Sequence, residues 1–122
     1  MPGRVNHNGA RFGMVAAVLI PDNAVVEMDD AGKAILGAAG LLGTGFAPEG
    51  AAIDAPITVY EFAGESPAIA GEAWAKKNYL KLGADGRLVK ETDPVVPTAF
   101  TRAQAVEAAT VVGKSYLVRW IR

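Results

Sequence analysis

The chain of 122 residues has no cysteine, one histidine and two serines. Without cysteine there is no disulfide, no thiolate nucleophile and no cysteine-based zinc site. The lone His7 cannot build a histidine-rich metal site, and neither Ser66 nor Ser115 sits in a nucleophile-elbow pattern. Charge of one sign is also missing. The net charge is -1 with cations scattered along the chain, so there is no basic footprint for a nucleic-acid backbone. Long apolar runs are absent too. The most apolar early stretch, Phe12 to Ile20, is too short to cross a bilayer and reads as mature structure, not a signal.

Half of the residues are hydrophobic but only 7% are aromatic, so the apolar content is carried by small side chains that pack closely. One compact domain fits this length. The opening "MPGRVNHNGARFG" is polar and aperiodic, and it reads as an extended N-terminal arm over 1–13. From there to the end a single β-rich domain is expected over 14–122, with lobes of roughly 14–64 and 65–122. "MVAAVLIPDNAVVEMDD" suits a strand, a turn and a second strand, and Gly32 in "DDAGKAIL" can close a hairpin. "ITVYEFA" is a strand by its β-branched and aromatic content.

The second half repeats this order. "YLKLGADGRLVK" places a hairpin at Asp85-Gly86, and "KSYLVRWIR" closes the second half as "ITVYEFA" closes the first. Gly32 and Gly86 occupy equivalent points of the two copies. The fold class expected is therefore mainly β, a small β-barrel or packed-sheet domain built from two duplicated hairpin-plus-strand units. One helix is expected near 101–110, with Thr101 as its N-cap and Gly113 beyond its stop. The two prolines of "KETDPVVPTAF" make that segment an extended excursion.

Each candidate for chemistry has a plainer reading. Asp29, Asp30 and Asp85 lack calcium-loop spacing and read as turn residues. "VGKSY" ends like a phosphate loop, but Ala108 stands where the first glycine belongs, and a strand follows. Nothing in the spacing of Glu49, Asp54, Glu61, Glu65 and Glu72 selects a catalytic pair. Trp74, Tyr79, Tyr116 and Trp120 could line a sugar or peptide groove, which leaves a small β-barrel carbohydrate- or peptide-binding module as the alternative function; burial in a core or interface is the commoner fate of such residues.

The order "GKAIL", "GTGFAPEGAA", "ITVYEF", "AGEAW" and "YLKLGADGRLVK" resembles the small capsid decoration, or cement, proteins of tailed bacteriophages. Gly45, Ala47, Glu49, Gly50 and Ala51 match one short motif of that family, and Tyr79, Leu80, Ala84, Asp85, Gly86, Leu88 and Val89 match another. The likeness runs from about Asn23 onward. It departs from the family where the proline-rich loop and "TRAQAVEAAT" stand. The resemblance implies a non-enzymatic virion protein on the outer capsid surface, made in the host cytoplasm, without cofactor or metal. Its partners would be the major capsid protein and its own copies in a homotrimer, with neither nucleic acid nor membrane involved. The contact residues expected are Arg4, Asn6, His7, Asn8, Arg11 and Phe12 of the arm, Trp74, and Pro94, Pro97 and Phe100 of the proline-rich loop.

Overall fold

The computed structural model describes residues 10–121. Ten strands form: β1 Arg11–Val15, β2 Ala24–Met28, β3 Ala34–Leu36, β4 Gly45–Ala47, β5 Pro56–Tyr60, β6 Glu65–Ile69, β7 Tyr79–Leu82, β8 Leu88–Lys90, β9 Ala103–Ala105 and β10 Ser115–Trp120. A single 3₁₀ turn, η1 (Ala84–Gly86), joins β7 to β8. The fold is nearly all-β, as the strand and turn signals indicated.

Two five-stranded antiparallel sheets divide the chain, in the orders β1-β5-β4-β2-β3 and β6-β10-β9-β7-β8. Each strand of the first therefore has its counterpart five places later in the second. The duplication extends to single hydrogen bonds. Gly37 N donates to Val25 O at 2.8 Å, and Glu91 N donates to Tyr79 O at 3.0 Å. Ala17 N donates to Ala34 O at 2.9 Å, and Gly71 N to Leu88 O at 2.8 Å. Isolated parallel bridges join Ala16 to Ala34 and Ala70 to Leu88, so the outer strands of each sheet meet at one end and the sheet curls toward a barrel. The copies differ most between their third and fourth strands, where the β8–β9 loop is longer than the β3–β4 loop.

The alternation of strand side chains decides which face is buried. On β5, Ile57 and Val59 point inward while Pro56 and Thr58 are exposed. The two sheets are held together by rings. Phe46, Tyr60 and Phe62 come from the first half, and Trp120 from the second; Phe46 stacks on Trp120 at 4.7 Å and Phe62 lies 5.1 Å from it. Aromatic pairs at such distances add to the area they bury, which makes this cluster the main bond between the halves. Gly86 completes the contact. Its φ of +72° suits glycine, and a Cβ there would stand 3.0 Å from Val25 O.

Two expectations are corrected. No helix forms near 101–110: residues 103–105 are the strand β9, paired on one side with β7 and on the other with β10. Alanine favours helices locally, but Ala103 and Ala105 are small enough to lie buried inside, with Ala103 opposite Trp120, while Gln104 turns outward. Tertiary pairing outweighs propensity here. The boundary at residue 13 is also corrected, because Arg11, Phe12 and Gly13 are paired with Tyr60, Val59 and Thr58 in the sheet; the rest of the expected arm, residues 1–9, lies outside the described residues.

Candidate functional site

Of the expected contact residues, Arg4, Asn6, His7 and Asn8 lie outside the described residues. Arg11 and Phe12 are exposed on β1, an edge strand. Pro94 is half-buried, and Pro97 and Phe100 are exposed on the β8–β9 loop. Trp74 is a correction. It is only 4% exposed, its ring meets Tyr116 edge-on at 6.3 Å, and its Nε1 donates to Glu107 O, so it is a core residue. Trp120 is 5% exposed and stacked in the core, so neither tryptophan offers a face to a sugar.

The β3–β4 and β8–β9 loops, counterparts in the duplication, lie side by side. Arg102 Nε donates to Leu42 O at 2.7 Å across them, and its guanidinium sits 5.8 Å from the Phe62 ring. Five exposed apolar side chains lie on these loops: Leu41 and Leu42 on one, Val95, Val96 and Phe100 on the other. Val95 is 71% exposed, unusual for a β-branched residue on a well-tied loop. Between the loops runs a groove of about 530 Å³, lined by Leu41, Leu82, Val89 and Phe100, with Lys81 and Glu91 in its wall.

Glu91 organises this surface from beneath. It is 5% exposed, and its Oε2 accepts hydrogen bonds from the Thr98 hydroxyl at 2.8 Å and the Thr101 hydroxyl at 2.5 Å. Lys81 Nζ lies 3.9 Å from the other oxygen and balances the charge. Thr101 Oγ1 also accepts from Thr98 N at 2.8 Å. Thr101, expected to cap a helix, thus caps a loop. Asp93 accepts the Val95 amide on its side chain and the Val96 amide on its carbonyl, forming a turn, and Pro94 O accepts the Tyr79 amide at 2.7 Å. On the other loop, Glu27 Oε1 accepts Gly43 N at 2.7 Å. The apolar tips are consequently presented on braced backbone, which lowers the ordering cost of binding.

Among the described residues no catalytic constellation emerges. Glu65 is paired with Arg119 at 2.8 Å and Glu72 accepts Lys90 N at 2.7 Å. Among the described residues no cluster of three metal-ligating side chains occurs. Tyr116 has its pKa lowered, chiefly by its hydrogen bond with Thr110, against the opposing effect of desolvation. Leu41, Leu42, Val95 and Val96 were not singled out by the sequence. The available signal was an apolar pair set between glycines in "GLLG" and between prolines in "PVVP", flanks that suit a loop better than a strand interior.

No protein-family model matches the chain, and no curated protein matches it. Among solved structures, the crystal structure of the N base of head fiber gp8.5 in bacteriophage phi29 superposes with a TM-score of 0.75. The match covers 93% of this chain and 95% of that one at 18% sequence identity. This chain has the fold of a phage head-fiber base. At that identity the likeness is one of architecture.

Proposed function

We propose that the protein is a non-enzymatic structural component of a tailed-phage capsid. It acts as a decoration or cement protein that binds the outer shell surface and steadies contacts between major capsid protein subunits. The observation that carries this reading is the sharing of almost the whole fold with the phage head-fiber base. The braced apolar loops supply the means. Leu41, Leu42, Val95, Val96 and Phe100 are exposed on these two loops, and apolar side chains held in this way are suited to burial against protein. The protein acts as a homotrimer on the shell, where weak contacts repeated over a symmetric lattice combine into high occupancy. The segment preceding Ala10 is the second contact element.

Cosedimentation with shells of candidate phages lacking their own decoration protein tests this. Wild-type protein is expected to pellet stoichiometrically, and V95S/V96S/F100S to stay in solution with its fold unchanged by circular dichroism. Undiminished pelleting of that variant removes the loop surface from the mechanism, and failure of wild type on every shell removes the function. A deletion of residues 2–9, which leaves β1 whole, is expected to weaken binding in the same assay.

A further inference from the structure

The two lobes differ sharply in charge. Residues 1–63 carry seven acidic and three basic side chains, and residues 64–122 carry six acidic and nine basic, so the halves have net charges of −4 and +3. The total of -1 conceals this polarity.

The duplication shows where the charge matters. The first lobe holds the second with Asn23, Phe46 and Tyr60: Asn23 Nδ2 donates to Ser115 Oγ at 3.2 Å, Phe46 stacks on Trp120, and Tyr60 packs beside them. The same positions of the second lobe are Lys77, Gln104 and Arg119, as the matched hydrogen bonds and sheet registers require. There they surround an uncovered hollow of about 260 Å³, which Lys76 also lines. Arg119 is paired with Glu65, but neither Lys76 nor Lys77 forms an ion pair among the described residues. Lys77 also holds φ at +69°, a left-handed conformation that its counterpart Asn23 adopts at lower cost.

The hairpin tips complete the pattern. η1 of the second lobe leans on the first, with Gly86 N donating to Gly37 O at 2.9 Å. Its counterpart in the first lobe is the turn of residues 29–33, in which Asp30, Ala31, Gly32 and Lys33 are all exposed. This turn is self-supporting, since Asp29 Oδ1 accepts the amides of Ala31 and Lys33 at 2.9 Å. The second lobe thus exposes two lysines beside an uncovered hollow, and the first exposes an acidic tip.

We infer that copies of this chain associate head to tail, the acidic tip Asp29–Asp30 of one copy entering the Lys76–Lys77 hollow of the next. Within one molecule η1 rests on Gly37 and Val25, whose counterparts Glu91 and Tyr79 are tied to the β8–β9 loop, so the contact between molecules is carried by opposite charge and not by a copy of that seat. It is heterologous, so it closes into a ring when the rotation permits. It rests on the homo-oligomeric part of the function proposed above and not on shell binding.

The test is solution mass by light scattering, without shells, at low and high salt. Wild type is expected to form an assembly larger than one chain that dissociates as salt rises. K77E and D30K should each weaken association by about tenfold, and K77E/D30K should recover most of that loss, because the pair restores opposite charges. A wild-type monomer at all salt concentrations overturns the inference. So does an assembly indifferent to salt and to both reversals, or a double variant no better than the sum of its parts. Shell binding by a monomer leaves the capsid role standing while this contact falls, so the two failures are distinguishable.

Discussion

At the scale of single residues, the molecule depends on a few positions where burial meets an unusual demand. Glu91 is one, a carboxylate under the loop surface with two threonine hydroxyls and a lysine as partners. Glu91→Ala leaves the buried Thr101 hydroxyl without its acceptor and releases that of Thr98, and is expected to cost about 1–3 kcal/mol in urea unfolding. Limited proteolysis should then cut the β8–β9 loop first; unchanged stability and protection would show that the loop is held without this carboxylate. Gly50 is another. A Cβ there would stand 2.0 Å from Ile20 O, within the antiparallel bridge between Ile20 and Ala51. Gly50→Ala must displace backbone and is expected to destabilise beyond the usual range of about 0.5–3 kcal/mol. A neutral result would mean that this loop shifts freely. The two tryptophans report on the same scale. Being 4% and 5% exposed, they should resist iodide quenching until the protein unfolds, and easy quenching would reopen the ligand-groove reading.

At the scale of elements, both hairpins were legible because a turn has a local grammar. Gly32 and Gly86 have φ of +79° and +72°; β7 alternates in burial, whereas Ala24, Val25 and Val26 of β2 are all buried, Val25 in one cluster and its neighbours in the other. The closing strands β5 and β10 were legible for the same reason. β9 was not. Its alanines carry a helix-forming signal, and only the flanking strands β7 and β10 give it a partner on each side. Far-UV circular dichroism should therefore lack the double minimum of a helix, and its presence would contradict β9. Of the candidate site, the proline-rich loop could be read as an excursion from the sheet. Its partner loop carries no such mark, since the contact between Arg102 and Leu42 spans sixty positions and leaves no trace in local pattern. Trp74 was misplaced because an isolated tryptophan has the same sequence signature in a core and at an interface.

At the scale of the whole molecule, the Phe46–Trp120 stack makes the two sheets one folding unit. Thermal unfolding followed by tryptophan emission and by circular dichroism is expected to coincide in a single transition. Phe46→Ala should cost about 3–5 kcal/mol and split the two signals; coincident signals at full stability would show that the lobes cohere by other contacts. The sheet orders carry a mechanical consequence as well. β1 is bonded on one side only, to β5, whereas β10 lies between β6 and β9. A pull delivered through Ala10 peels β1 from its neighbour one bond at a time. The same pull delivered through Ile121 must shear two ladders at once, so the protein is soft when tugged from its first strand and stiff when tugged from its last.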